Sequence, residues 1–290
     1  MNTFSYNKKD LRARLPKRIE NSNKGTYGRV LVIGGSPCMS GAAYFAAKSA
    51  YRTGAGLVEI LTHEKNRVIL QTLIPEAILS VYNSKKINFK AIEASISKAS
   101  VVIIGMGLSQ SPSSLEILKF TLDKCNVPIL IDADALNLIA SNREMIKDVM
   151  SCNSSVIITP HLAEMSRLTG FEISEIASNI PHYAQEFSNQ NHVICVLKDH
   201  NTAVAQPYSD KIYINKSGNN GMSTGGSGDV LDGIIGALVA QKLDPYDAAT
   251  LGVYVHGLAG DIASKELSEY SVMASDIINA LPQVFSKQKQ

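Results

Sequence analysis

Short, continuous apolar runs recur along the chain at intervals that leave room for helices. Val30, Leu31, Val32 and Ile33 end at Gly34-Gly35, and a small-residue helical pattern follows from Gly41 through Ala50. Residues 57–61, 101–104, 129–131, 156–158 and 193–197 are further runs of this kind. Without polar alternation they predict strands buried on both faces, and the segments between them predict the crossover helices that parallel strands require. The expected fold class is therefore α/β, a doubly wound, mostly parallel sheet flanked by helices. Functional residues in such a sheet gather where strands run into helices at their carboxyl ends.

Two regions depart from this rhythm. Between Thr202 and Asn215 the alternation is Ala203, Ala205 and then Ile212, Ile214, around Pro207 to Asp210. This predicts an antiparallel hairpin at one sheet edge. From Val230 onward the pattern is nearly all helical, with Pro245 opening one helix and Gly257 and Gly260 expected to interrupt another. No internal repeat, linker or domain boundary stands out, and the 290 residues fit one large domain, residues 1–290.

Composition narrows the classes of function. Hydrophobic residues at 45% and charged residues at 19% fit a globular chain, and a net charge of +2 gives no global basic field for nucleic acid. A small ligand is the expected partner. The basic run Lys8, Lys9, Arg12, Arg14, Lys17 and Arg18 reads as solvated surface. Neither a signal peptide nor a run long enough to span a membrane is present, so the expected location is the cytoplasm. Cys38, Cys125, Cys152 and Cys195 lack CxxC or zinc spacing and are expected to be reduced, mostly buried thiols.

The strongest chemical signal is the segment from Ser217 to Asp229, which holds Gly218, Gly221, Gly225, Gly226 and Gly228 and leads into an apolar helix over 230–240. Glycines let backbone amides converge, and a helix amino terminus adds its positive dipole end, so the segment predicts an anion hole at Gly225, Gly226, Ser227 and Gly228. Asp229, in the first turn, reads either as a helix cap or as the general base for a hydroxyl attacking a terminal phosphate. The segment is neither a Walker loop nor a GxGxxG fingerprint. Gly34-Gly35-Ser36 reads as a tight turn, and Met39 and Met106 as packing residues. Asp132 and Asp134 read as a metal pair or as a cap plus a surface residue, and no direct metal ligand is assigned. His161 is open between starting a helix and touching a ligand.

Several segments in order resemble a known family: Lys24-Gly25-Thr26-Tyr27-Gly28, Gly34-Gly35-Ser36 through Ala43, Asp132-Ala133-Asp134-Ala135-Leu136-Asn137, Thr159-Pro160-His161 with Glu164, and Gly225-Gly226-Ser227-Gly228-Asp229. Together, over nearly the whole chain from Lys24, they resemble the NAD(P)H-hydrate dehydratases of the ribokinase-like superfamily. The resemblance implies a carbon–oxygen lyase that repairs hydrated NADH and NADPH, with ADP as co-substrate, ATP as an alternative donor, and Mg²⁺ accompanying the nucleotide. It implies that Ala42, Gly107, His161 and Asp229 meet the hydrated dinucleotide. Lys198, Asp199, His200, Asn201 and Thr202, with Gly228, would hold the adenine nucleotide. It further implies a homotetramer working beside a separate NAD(P)H-hydrate epimerase, for which this chain is too short.

Two departures from the family pattern matter. Thr-Pro-His usually continues as Pro-Gly-Glu, where this chain has Leu162-Ala163-Glu164, and the loop after Lys198 usually has glycine where this chain has Asp199. The competing readings are a ribokinase-like kinase of the hydroxyethylthiazole or hydroxymethylpyrimidine type, which releases its phosphorylated product, and a catalytically silent nucleotide-binding regulator. Retention of Asp229 opposes the regulator, and the Thr159-Pro160-His161 and Lys24–Gly28 segments favour the dehydratase over the kinase.

Overall fold

A computed structural model describes residues 2–286. Ten strands form one sheet: β1 (Asn2–Phe4), β2 (Arg29–Ile33), β3 (Leu57–His63), β4 (Ile78–Tyr82), β5 (Val101–Ile104), β6 (Ile129–Ile131), β7 (Val156–Ile158), β8 (Ile194–Leu197), β9 (Ala203–Ala205) and β10 (Lys211–Ile214). Helices cover both faces. They are α1 (Lys8–Arg14), α2 (Ser40–Thr53), α3 (Arg67–Leu73), α4 (Phe89–Ile96), α5 (Pro112–Lys124), α6 (Asp134–Ser141), α7 (Met145–Met150), α8 (Leu162–Thr169), α9 (Ile173–Ser178), α10 (Ile180–Asn191), α11 (Ser227–Ala240), α12 (Pro245–Leu267) and α13 (Ala274–Phe285).

The strand order is β1-β10-β9-β8-β7-β6-β5-β2-β3-β4, and every pairing is parallel except the two made by β9. Successive strand residues point to opposite faces, so a strand covered on both sides must be apolar throughout. Val30, Val32, Val101 and Ile103 enter one core with α2, α11, α12 and α13, while Leu31, Ile33, Val102 and Ile104 enter the other with α4 to α8 and α10. The unbroken apolar runs thus produce a three-layer α/β fold. The order reverses between β2 and β5, which opens a crevice beyond their carboxyl ends.

The hairpin forms from β9 and β10, but it does not end the sheet. Strand β1 pairs in parallel with β10 and takes the edge, held there as Phe4 and Tyr6 pack on Tyr213 with ring centroids 5.5 and 4.7 Å away. The basic run becomes α1, whose Asn7–Asp10 capping box leaves Lys8, Lys9, Arg12 and Arg14 in solvent. Two of the thiols, Cys125 and Cys195, are buried, Cys152 is half-buried and Cys38 is exposed. Among the described residues no helix is long and apolar enough to cross a membrane.

Gly257 and Gly260 do not interrupt a helix, since α12 runs unbroken through both. A Cβ at Gly257 would sit 2.2 Å from Ser217 Oγ and 2.7 Å from the Ser217 carbonyl oxygen, and one at Gly260 would sit 2.2 Å from Met222 Sδ. The two glycines let the long loop before α11 lie flat on α12. Gly257→Ala forces that loop outward, and overpacking of this kind lowers stability by about 1–3 kcal/mol. Urea unfolding of the variant measures it, and an unchanged midpoint would show that the loop yields freely.

Candidate active site

The loop from Ser217 to Gly226 is shaped by short polar side chains before it delivers α11. Asn219 Oδ1 accepts from Gly221 N–H at 3.0 Å, and the Asp261 carboxylate on α12 accepts from Gly218 N–H at 3.1 Å and Asn219 Nδ2 at 3.0 Å. Gly226 then adopts φ 89°, a left-handed conformation suited to glycine, and packs against Phe45. Ser227 N–H donates to the Thr224 carbonyl at 3.3 Å. The N–H groups of Gly225, Gly226, Gly228 and Asp229 have no protein acceptor among the described residues. The free amides are therefore those of three of the four expected residues plus Asp229, while Ser227 contributes its side chain.

Asp229 sits in the first turn of α11 but caps nothing, because its carboxylate accepts no hydrogen bond from the described residues. Burial and the neighbouring charge of Asp132 push its pKa up to about 7, against the opposing effect of Lys198. Burial thus outweighs the helix terminus, which favours the ionised form.

Lys198 follows β8 and is already paired. Its Nζ donates to Asp132 Oδ1 at 3.0 Å and Oδ2 at 2.9 Å, and both side chains are largely buried. Burial alone would lower the ammonium's pKa, but Asp132, Asp232 and Glu164 hold it above its ordinary value. Asp134 takes a different partner, accepting from Ser109 N–H at 2.7 Å, so the Asp132-Ala133-Asp134 carboxylates part company. Thr202 Oγ1 donates to the Asp199 carbonyl at 3.0 Å and closes the following turn.

His161 does what a helix-start residue does and also reaches the cleft. Its Nδ1 accepts from Ala163 N–H at 3.1 Å and Glu164 N–H at 3.3 Å, while Glu164 Oε2 accepts from His161 N–H at 2.9 Å. With Nδ1 accepting, the neutral ring carries its proton on Nε2. Burial, then Lys198, lower its pKa, whereas burial and Asp132 push Glu164 up to about 7. Leu162 and Ala163 replace Pro-Gly without disturbing this capping box.

A cleft of about 610 Å³ opens beside α11, lined by His161, Lys198, Asp199, His200, Thr202, Ser227 and Gly228. Asn201 is exposed on the turn and is not on its wall. Neither is Asp229, although it directly follows Gly228 of that wall and feels the charges of Asp132, Lys198 and Asp134. In the crevice Gly35 N–H donates to the Met106 carbonyl at 3.0 Å, and a Cβ on Gly107 would lie 3.1 Å from that of Ala42. Ala42 and Gly107 are therefore neighbours at the switch point, apart from the nucleotide-side residues.

The cleft's other wall comes partly from the segment the sequence singled out, through Ser217, Asn219 and Thr224, and partly from residues it did not mark, Asn215 and, on α12, Val253 and His256. His256 Nε2 lies 3.3 Å from Ser227 Oγ, and burial followed by Lys198 pushes its pKa down to about 4. Nothing in the pattern of α12 marks His256, whereas the Asn-rich loop carried a readable turn signal.

A mostly parallel sheet, a topological switch point and a glycine loop heading a helix define a ribokinase-like α/β protein. The family model described as NAD(P)H-hydrate dehydratase matches residues 30–283. The chain is 32% identical over 288 residues to the ADP-dependent (S)-NAD(P)H-hydrate dehydratase of Bacillus subtilis, covering 99% of each. It is 36% identical over 281 residues to the bifunctional NAD(P)H-hydrate repair enzyme Nnr of Moorella thermoacetica, covering 94% of this chain and 52% of that one. The chain thus spans about half the length of the bifunctional relatives it matches. A crystal structure of the Bacillus subtilis ADP/ATP-dependent NAD(P)H-hydrate dehydratase, co-crystallised with ATP/Mg²⁺, superposes with a TM-score of 0.84 at 30% identity over 98% of both chains. The chain belongs to the NAD(P)H-hydrate dehydratase family.

The Lys198–Asp132 geometry predicts what removing the ammonium does. Lys198→Met leaves a buried carboxylate uncompensated, so stability falls by about 3–5 kcal/mol, and Asp132→Asn in the same chain restores part of it. Additive losses in a thermal-unfolding double-mutant cycle would show that the two groups act separately.

Proposed function

We propose that this chain catalyses the ADP-dependent dehydration of the S-epimer of hydrated NADH and NADPH, giving NADH or NADPH, AMP and phosphate. The observation that carries the reading is Asp229, a carboxylate at the head of α11 that caps nothing, directly after Gly228 of the cleft wall and beside unpartnered amides. In this reading the nucleotide lies in the 610 Å³ cleft, a volume suited to a small ligand, against Lys198, Asp199, His200, Thr202 and Gly228, with Asn201 on the outer turn. The hydrated ring lies over Ala42 and Gly107, with His161 offering Nε2–H to it.

The chemistry follows from a poor leaving group. Asp229 takes the proton of the ring hydroxyl as its oxygen bonds to the terminal phosphorus of ADP, and the bond to AMP breaks. The amides of Gly225, Gly226, Gly228 and Asp229 steady the transferring phosphoryl oxygens. Phosphate then departs from the ring carbon with its bonding electrons, the adjacent carbon loses a proton, and the ring double bond is restored. ATP serves the same geometry as an alternative donor.

Mg²⁺ in this reading travels with the nucleotide phosphates. Among the described residues no group of three or more His, Cys, Asp or Glu side chains could hold a metal, and Asp132 is engaged by Lys198, which fits an ion carried by phosphate and water. The same reading treats residues 1–290 as one functional domain in the cytoplasm, acting on the product of a separate epimerase. Exposed Val68, Ile69, Leu73, Ile78 and Val81 on α3 and the edge strand β4 support assembly of copies, with the tetramer as the expected state. The structural likeness to the hydroxyethylthiazole kinase of Pyrococcus horikoshii, 14% identical with a TM-score of 0.58, shows the fold alone.

Purified protein with ADP and Mg²⁺ is expected to regenerate NADH absorbance from hydrated NADH, while phosphorylation of a thiazole or pyrimidine alcohol without NADH formation would establish the kinase instead. Asp229→Asn is expected to lower turnover about 10²- to 10⁴-fold with little change in nucleotide binding. Parent turnover should rise with pH through about 7, where Asp229 loses its proton. The sign for stability is opposite. The folded pKa lies above the ordinary 3.8, so the group's contribution is full below 3.8 and is lost as pH rises through about 7. At about pH 8 the Asn variant should therefore be at least as stable as the parent, and near-normal turnover in that folded variant would sink the base assignment.

A further inference from the structure

One turn below Asp229, α11 buries a second carboxylate. Asp232 is fully buried, and its Oδ1 accepts from Thr159 Oγ1, at the end of β7, at 2.9 Å. Its Oδ2 is equally enclosed and has no hydrogen-bond donor among the described residues. The Asp232 side chain also meets the Asp132 carboxylate at hydrogen-bond range, while Lys198 gives both of its bonds to Asp132. Two ionised carboxylates cannot hydrogen bond to each other, so one proton is needed at this contact. Placed on Asp232 Oδ2, it removes the orphan and creates a donor to Asp132.

We propose that Asp232 is a positioning residue held as a neutral carboxylic acid, whose O–H donates to Asp132 and ties the Asp132–Lys198 pair to α11. Thr159 fixes the other oxygen, so β6, β7, β8 and α11 are joined through one side chain. The charged and titratable groups around it agree with this state. Asp132 faces it from the end of β6, Lys198 from the end of β8 and Asp229 from its own helix. Glu164 and His161 on α8 and His256 on α12 interact with that same ammonium. Three ionised aspartates would face one cation, whereas a neutral Asp232 leaves Asp132 balanced by Lys198 and Asp229 free to titrate. Burial, followed by the charge of Asp132, raises the Asp232 pKa well above its ordinary value.

The kinetic consequence rests on Asp229 as the base, but the protonation state is measurable without turnover. Infrared spectra of the full chain carrying carboxyl-labelled aspartate, at a pH of about 8.5 where Asp229 is ionised, should show a protonated-acid carbonyl band that Asp232→Asn removes. No such band in the parent, or its persistence in the Asn variant, overturns the proposal even if no dehydration is ever observed. In turnover, Asp232→Ala should lower kcat about 10- to 100-fold by loosening the pair beneath α11. Asp232→Asn, which donates to Asp132 and accepts from Thr159, should recover most of it with the acid limb of the pH profile unmoved. An acid limb displaced downward by about one unit in the Asn variant would mean that a negative charge had been removed, and failure to recover turnover would mean that Asp232 does not position the pair.

Discussion

The active-site architecture hangs on one buried ammonium. Lys198 closes on both oxygens of Asp132 directly under the first turn of α11, and through them the ends of β8 and β6 are tied beneath the glycine loop. A buried ion pair adds little net stability over an apolar substitute, because desolvation cancels much of the attraction. What it supplies is position. A Cβ at Gly228 would lie 3.4 Å from Lys198 Nζ and 3.7 Å from Asp132 Oδ2, so space alone does not demand glycine there. Gly226, in its left-handed conformation against Phe45, is where the backbone requires it.

Pairing Lys198 in this way decides how an anion can be held. His256 and His161 both have lowered pKa values, so these two of the three imidazoles on the cleft wall are neutral near pH 7 and add no positive charge. Asp199 contributes a negative charge at the rim. In the proposed reading, phosphate oxygens are left with directional donors: unpartnered amides at a helix terminus and polar side chains of the loop. Donors of that kind select geometry more than charge, which suits the phosphoryl transfer proposed for the site.

The sequence made the centre of the sheet legible because strands buried on both faces must be apolar without interruption, and β5, β6, β7 and β2 beyond its first residue, Arg29, are. The glycine loop was legible for a similar reason, since few other demands concentrate glycine before an apolar helix. Strand β1 was not, because three residues carry too little pattern and its place depends on aromatic packing against Tyr213, far along the chain. The continuity of α12 was hidden by glycines whose purpose is close approach to Ser217 and Met222, a tertiary fact. Asp232 and His256 were invisible for a deeper reason. Each sits in an apolar helix, and only the fold shows which polar groups they face.

Asp229 shows how position and protonation oppose each other in this fold. A helix amino terminus favours an ionised carboxylate by a few tenths to about 2 kcal/mol, and on an exposed helix that would leave an acid too weakly basic for the role proposed for it. Here the same turn sits over the Asp132–Lys198 pair, where Asp229 is half-buried and Asp132 adds negative charge, and the balance tips toward the protonated form. The result is a carboxyl that exchanges its proton near neutrality, the condition under which proton transfer to a base is most effective. Fold and chemistry meet at that point: the doubly wound sheet sets the first turn of α11 over the Asp132–Lys198 pair, and the burial that comes with that placement raises the pKa of its carboxyl.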